Sequence, residues 1–106
     1  MKPSESNSAL TRVVKMKFRA GEETAFLEIF ERSKAHIRSF PGCFYLELFT
    51  DRNNPSVFFT YSKWDGESSL EAYRKSDLFR STWQNTKVLF SDKAEAWSLN
   101  SLHICP

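Results

Sequence analysis

Apolar residues alternate with polar ones early in the chain and then change to a helical spacing. Leu10–Phe18 places Val14, Met16 and Phe18 on one side, and this period of two predicts a β-strand. Ala20-Gly21 interrupts the alternation. The next segment, from residue 22 to residue 39, has apolar residues at steps of three and four, which predicts an amphipathic helix.

This helix presents one apolar stripe and has a clear end. The stripe contains Phe26, Phe30 and Ile37, while charged residues occupy the opposite side. Glu22 suits the first turn of the helix, where a carboxylate meets the positive end of the helix dipole. Pro41-Gly42 stops the helix, because proline disfavours a helical residue before it and glycine permits the turn that follows.

The stretch from Phe40 to Trp64, FPGCFYLELFTDRNNPSVFFTYSKW, predicts a β-hairpin. Asp51–Pro55 has the composition of a turn, and Ser56–Trp64 is the return strand. The first strand carries Phe44, Leu46 and Leu48 on one face and Tyr45, Glu47 and Phe49 on the other. An antiparallel sheet with one face in water shows a cleaner alternation, so this hairpin needs a partner on each face.

The last third of the chain predicts two helical segments and a final strand. Gly66–Lys75 reads as a short helix, and Ser76 and Asp77 are N-cap candidates for a further helix. The apolar stripe of that further helix is Phe79, Trp83, Thr86 and Phe90. Asp92–Leu102 alternates again and is the fourth strand candidate. The closing residues SLHICP are compatible with a further strand segment or a swapped tail.

The order of these elements predicts an α+β fold of the ferredoxin-like βαββαβ type, with a four-stranded antiparallel sheet and helices on one face. We expect one domain over residues 10–102, a flexible N-terminal tail over 1–9 and a C-terminal tail over 103–106. The second face of the sheet is too aromatic to stay in water. We therefore predict a homodimer whose sheets pack face to face.

Composition and charge exclude several classes of partner. The chain has 106 residues and a net charge of +2 with scattered basic residues, so nucleic-acid binding is not expected. It contains no apolar run of membrane-spanning length and no leader pattern, which indicates a cytoplasmic protein without a membrane partner. Cys43 and Cys105 lie far apart and form no CxxC pair, so we expect free thiols and no metal site.

Several segments together resemble the antibiotic biosynthesis monooxygenase (ABM) family. They are the first strand with AGEETAFLEIF, then FPGC, then FFTYSKWDGESSLEAYRKSDLF, and finally the strand around Trp97. The resemblance covers about residues 10 to 99 and implies a small dimeric α+β barrel. It also implies a ligand cleft inside each subunit, between the sheet and the helices. Trp64 matches the tryptophan that commonly borders this cleft.

The family implies more than one function. Its enzymes include cofactor-independent oxygenases that convert phenolic or anthrone-like aromatics to quinones, and a second branch cleaves heme. Others are quinol oxygenases, proteins that process signalling molecules, or dimers without an assigned activity. Two positions where many members carry histidine are Tyr73 and Leu78 here. The asparagine and the heme-ligating histidine of the heme branch fall on Val14 and Trp83, which disfavours heme cleavage.

The candidate site follows from this resemblance and from the chemistry of a flat apolar substrate. We predict catalytic roles for Trp64 and Tyr73. The predicted substrate-binding residues are Phe30, Arg74, Phe79 and Trp83. Tyr73 is the best candidate for a polar role, since its hydroxyl can donate to a phenolate. The competing interpretations are core packing for the helix aromatics and for Trp64, and a solvated surface position for Arg74.

The sequence contains no clear general base. His36 lies at the edge of a helix stripe and His103 lies in the tail. Glu47 alternates with aromatics, so it is either a base in a cavity or, preferably, a dimer-interface partner of Lys15 or Lys17. The predicted function is a small cofactor-independent monooxygenase that oxidises a phenol, hydroquinone or anthrone-like molecule with dioxygen. The alternative is a non-catalytic dimeric module that binds a small ligand.

Overall fold

The computed structural model describes residues 9–106, and their backbone forms a four-stranded antiparallel sheet with helices on one face. The strands are β1 (Leu10–Lys17), β2 (Cys43–Asp51), β3 (Asn54–Trp64) and β4 (Glu95–Leu99), and the helices are α1 (Glu23–Arg38), α2 (Glu67–Arg74) and α3 (Asp77–Lys87). The strand order in the sheet is β2-β3-β1-β4. This confirms the predicted α+β, ferredoxin-like arrangement. Within residues 9–106 no helix has the length and apolarity needed to cross a bilayer.

The fourth strand is shorter than its pattern indicated. The alternation predicted Asp92–Leu102, whereas β4 pairs with β1 only from Glu95, opposite Lys15, to Leu99, opposite Thr11. The chain before β4 bends, with the Ser91 amide donating to the carbonyl of Lys17 at 2.9 Å. After Leu99 the chain forms no further helix or strand. Alternation alone cannot show where a strand loses its neighbour.

The pairing register assigns a face to each strand residue. The helix-covered face consists of parallel rows that cross the sheet. One row is Cys43, Trp64 and Leu10; the next is Leu46, Ser62, Arg12 and Ser98; the third is Leu48, Thr60, Val14 and Ala96. The opposite face exposes Tyr45, Phe49, Trp97 and Leu99, each more than two-fifths accessible. This is the aromatic second face that the hairpin pattern predicted.

Two separate hydrophobic clusters hold the helices to the sheet. The first contains Leu10, Cys43, Trp64 and Leu70, with Phe40 and Tyr73 packed against it. The second contains Met16, Phe18, Phe26 and Phe58, surrounded by partly buried apolar residues from α1 and the chain before β4. The two clusters lie at opposite ends of the helix-covered face. Space between them is therefore available to a ligand.

The helix ends contain the capping serine and the glycine turn that the sequence predicted. Ser76 caps α3, its hydroxyl accepting a hydrogen bond from the Phe79 amide at 3.1 Å. Gly42 joins α1 to β2 with a φ of +92°, a conformation that residues with a side chain rarely adopt. A β-carbon at Gly42 would collide with Ser69 and would lie 2.7 Å from the Asp65 carboxylate. Gly42 thus allows α2 to pack closely against the start of β2.

We expect Gly42→Ala to lower the free energy of unfolding by about 3 kcal/mol, because left-handed strain and overpacking add together. Gly21 is the matched control. Its φ is also positive, at +94°, but nothing lies within 4 Å of an added β-carbon. Gly21→Ala should therefore cost only the strain, about 1–2 kcal/mol. Urea unfolding of both variants measures the difference, and equal losses would contradict the close packing at Gly42.

Candidate functional site

A cavity of about 300 Å³ lies between the helices and the sheet, in the space between the two hydrophobic clusters. Its floor is built from the middle rows of the sheet and includes Arg12, Val14, Thr60, Ser62 and Ala96. These floor residues are mostly small or polar, so they leave room above the sheet. Ala96 lines the cavity and is also exposed, which indicates that the cavity reaches solvent along β4. The volume is at the lower end of the range for small-molecule sites.

All six residues predicted from the sequence line this cavity. They are Phe30 on α1, Trp64 at the end of β3, Tyr73 and Arg74 on α2, and Phe79 and Trp83 on α3. Their grouping places five aromatic residues and one cation around a single space. Phe79 and Trp83 stack with their ring centroids 5.7 Å apart.

Trp64 is both a core residue and a wall of the cavity. Its side chain is only 1% exposed, and its indole N–H donates to the Ser62 hydroxyl at 2.9 Å. Its ring stacks on Tyr73 with centroids 5.1 Å apart and planes 29° apart. The indole donor is thus occupied, and the contact of Trp64 with Tyr73 is made through their stacked rings. The two interpretations of Trp64, core and cleft lining, are both correct in this structure.

Tyr73 is half-buried and is held by aromatic rings on several sides. Besides Trp64, the rings of Phe40 and Phe79 meet it edge-on, with centroids 5.5 Å and 5.2 Å away. No residue within 9–106 makes a hydrogen bond to its hydroxyl. Burial, and secondarily the nearby Cys43 thiol, raises the pKa of Tyr73 well above its ordinary value. The hydroxyl therefore keeps its proton and is available as a neutral donor.

Arg12 is a cavity residue that the sequence analysis did not single out. It sits on the floor between Ser62 and Ser98, and its guanidinium donates to the Ser98 hydroxyl at 2.9 Å. Burial, and then the neighbouring Arg74, lowers the pKa of Arg12. A signal was present in the sequence, because extending the alternation of β1 backwards from Met16 places a charged residue on its apolar face.

Arg74 also reaches the cavity, but it is half exposed and already paired. Its guanidinium lies 3.4 Å from a carboxylate oxygen of Glu71, one turn earlier on α2. An exposed pair at this spacing is weak. Both interpretations of Arg74 therefore hold in part, since it is a solvated helix residue that borders the mouth of the cavity.

The titratable residues considered as bases lie outside the cavity lining. Glu47 is on the opposite face of the sheet and accepts a short hydrogen bond from the Tyr45 hydroxyl. This placement argues against Glu47 as a base inside the cavity. His36 is exposed on α1, and His103 is exposed after β4. In the described part of the chain no group of three His, Cys, Asp or Glu residues could hold a metal ion.

A model of the antibiotic biosynthesis monooxygenase family matches residues 9–85, which is most of the chain. The chain belongs to this family. No curated protein matches the sequence. Solved structures share the fold at low identity, which shows similarity of fold only.

Three of these structures illustrate the likeness. A conserved protein from Methanosarcina mazei has a TM-score of 0.85 and 17% identity, covering 90% of this chain and 94% of its own. A Pseudomonas aeruginosa protein has a TM-score of 0.82 and 19% identity, covering 94% and 100%. SnoaB, described as a cofactor-independent oxygenase from Streptomyces nogalater, has a TM-score of 0.83 and 16% identity in a mutant form, covering 93% and 98%.

The two positions that correspond to the asparagine and the heme-ligating histidine of the heme-degrading branch also lie at the cavity. Val14 is part of its floor, and Trp83 is part of its wall. Neither side chain can ligate iron, and Trp83 occupies space with its ring against Phe90, at 5.5 Å between centroids.

We expect Tyr73→Phe to be as stable as the wild type near pH 8, because the hydroxyl it removes has no partner within residues 9–106. Above about pH 10 the two proteins should diverge. The unfolded wild type releases the tyrosine proton first, since burial raises the pKa of Tyr73 in the folded state, so its stability falls by up to about 1.4 kcal/mol per pH unit. Tyr73→Phe lacks this contribution. Urea unfolding at several alkaline pH values measures it, and parallel curves would contradict the buried neutral hydroxyl.

Proposed function

We propose that this protein is a small cofactor-independent monooxygenase that oxidises a phenol, hydroquinone or anthrone-like aromatic with dioxygen. The observation that carries the proposal is the Tyr73 hydroxyl, a neutral donor without a partner in the described chain, set among aromatic rings at the cavity. Membership of the ABM family supports it. So does the shared fold with SnoaB, itself described as a cofactor-independent oxygenase.

The chemistry needs an electron-rich substrate, because the substrate itself reduces dioxygen. An ionised anthrone-like carbon passes one electron to dioxygen, and the resulting superoxide and substrate radical combine to form a carbon–oxygen bond. The hydroperoxide then loses water and leaves a quinone carbonyl. One oxygen atom enters the product, and the other leaves as water with the two hydrogens that the carbon loses.

Each cavity residue has a distinct part in this proposal. Phe30, Phe79 and Trp83 hold the flat ring by stacking and exclude water. Tyr73 touches the substrate and donates to the oxygen on which negative charge develops. Trp64 positions Tyr73 through their stacked rings. Arg74 borders the mouth, where its charge favours entry of an anion.

The deprotonation step does not require a histidine in the cavity. Within residues 9–106 the lining contains no His, Asp or Glu. We therefore infer a substrate whose hydroxyl or activated carbon ionises readily in water, so that the protein selects the anion and stabilises it. A neutral Tyr73 suits this role, because a donor stabilises an enolate whereas a second anion would repel it.

We also propose that the protein is a homodimer through the outer face of its sheet. Tyr45, Phe49, Trp97 and Leu99 are each between 41% and 47% exposed on that face. Such an aromatic surface is costly in water, and two-fold packing buries the same patch from both chains. The predicted pairing of Glu47 with Lys15 or Lys17 would lie in this interface. The unbonded Cys43 and Cys105 thiols fit a reducing compartment, in keeping with a cytoplasmic location.

Oxygen-electrode measurements with a panel of hydroquinones and anthrones test the enzyme proposal. We expect consumption of dioxygen with at least one of them, and a fall in kcat of about a hundredfold in Tyr73→Phe. Tyr61→Phe is the control, since Tyr61 lies on the opposite face of the sheet. If ligands bind but none is oxidised, the protein is a small-molecule-binding module. If Tyr73→Phe retains full activity, Tyr73 is not catalytic.

Sedimentation tests the dimer. The wild type should sediment as a dimer at micromolar concentration, and Phe49→Glu with Trp97→Glu should give a monomer, because the interface would then bury two unpaired carboxylates from each chain. Leu27→Glu is the matched control. Leu27 is equally exposed, at 43%, but lies on α1, away from the sheet face. A monomeric wild type, or dissociation by Leu27→Glu, would overturn the proposed interface.

A further inference from the structure

Arg12 has an unusual place for a cation. The alternation of β1 puts it on the helix-covered face with Leu10, Val14 and Met16, of which Leu10 and Met16 are buried in the two hydrophobic clusters. Its neighbours across the sheet, Ser62 and Ser98, are small and neutral. A guanidinium here loses part of its hydration, and its charge needs compensation.

The chain gives Arg12 little of that compensation. Its hydrogen bond to a described residue goes to Ser98, a neutral hydroxyl. No carboxylate within residues 9–106 forms an ion pair with it, whereas Arg74 at the cavity mouth is paired with Glu71. The charged groups that act on Arg12 are Arg74, which repels it, and Glu67 and Glu71 on α2, which attract it. Within residues 9–106, other donors of the Arg12 guanidinium have no hydrogen-bond partner.

We propose that Arg12 binds an anionic oxygen of the ligand, a carboxylate or an ionised hydroxyl, at the polar row of the cavity floor. The aromatic wall then holds the rings of the same molecule. This inference rests on the proposed aromatic ligand and narrows it to an amphiphilic anion. A guanidinium offers parallel N–H donors that match the two oxygens of a carboxylate, or a strong single bond to a phenolate.

The arrangement also predicts how a neutral side chain at this position affects stability. Arg12 is partly buried and has no carboxylate partner within residues 9–106, so replacing its charge by a neutral amide removes a desolvation cost. Arg12→Gln should therefore be as stable as the wild type, but its affinity for the anionic ligand should fall. A purely structural Arg12 would give the opposite pattern, with reduced stability and unchanged ligand discrimination.

Isothermal titration calorimetry with defined probes tests the inference. The probes are 2-naphthoate, which carries a carboxylate, 4-nitro-1-naphthol, whose hydroxyl is ionised near neutral pH, and 2-naphthol, which is neutral there. We expect the wild type to bind at least one anion more tightly than 2-naphthol. Arg12→Gln should lower the affinity for that anion by roughly ten- to a hundredfold and leave the affinity for 2-naphthol unchanged. Whichever anion loses more affinity identifies the group that Arg12 recognises.

Two further variants sharpen the experiment. Arg12→Lys keeps the charge but loses the fork of donors, so it should recover only part of the affinity for 2-naphthoate. Arg52→Gln removes an exposed guanidinium from the turn between β2 and β3, outside the cavity lining, and should change nothing. Thermal unfolding confirms that each variant is folded.

Defined results overturn the inference. They are no saturable binding of either anion to the wild type, equal binding of anions and 2-naphthol, or equal affinity losses for all probes in Arg12→Gln. The outcome is separate from that of the oxygenase proposal, because binding is measured without turnover. If Arg12 binds the anion but no substrate consumes oxygen, the anion-binding inference holds and the oxygenase proposal fails. If Arg12→Gln oxidises the panel with the wild-type rate and KM, the anion-binding inference fails and the oxygenase proposal holds.

Discussion

The structure depends on an imbalance in size between the two layers that face each other. The middle of the sheet presents small side chains, Thr60, Ser62 and Ala96, whereas the helices present large rings. Close-packed interiors leave few voids larger than a water molecule. Here the rings of Phe79 and Trp83 stack on each other, and a space of about 300 Å³ persists between the helices and the sheet. The cavity is a consequence of where small residues fall in the sheet.

An arc of aromatic rings keeps this space open by joining the two hydrophobic clusters. It runs from Trp64 through Tyr73, Phe79, Trp83 and Phe90 to Phe18, with successive centroids between 5.1 Å and 5.7 Å apart. Such edge-on and stacked pairs stabilise the folded state beyond the contribution of the apolar area that they bury. Because the rings support each other laterally, α2 and α3 need not collapse onto the sheet. The same arc therefore serves stability and supplies the walls of the candidate site.

The sequence predicted the elements and the aromatic residues well, and for a physical reason. Periods of two and of three to four follow directly from strand and helix geometry, so the order of the elements and the stripe containing Phe79 and Trp83 were readable. The extent of β4 was not, because a strand ends where its neighbour does, and that depends on pairing distant in sequence. The predicted site residues all reach the cavity, yet Arg12 was missed, since its importance comes from Ser98 and Arg74, which lie far along the chain.

Arg12 and Tyr73 together determine the electrostatic character of the cavity. Burial raises the pKa of Tyr73, which keeps its hydroxyl neutral, and lowers the pKa of Arg12, which reflects the cost of removing a charge from water. Both effects support the proposed anionic ligand. In that proposal the anion pairs with Arg12, which has no carboxylate partner within residues 9–106, and accepts a hydrogen bond from Tyr73, whereas a neutral molecule accepts only the hydrogen bond. Because the lining contains no acidic residue or histidine within residues 9–106, the proposed ligand is one that already carries its negative charge, and the two residues proposed to bind it lie on opposite sides of the space, one on the sheet and one on α2.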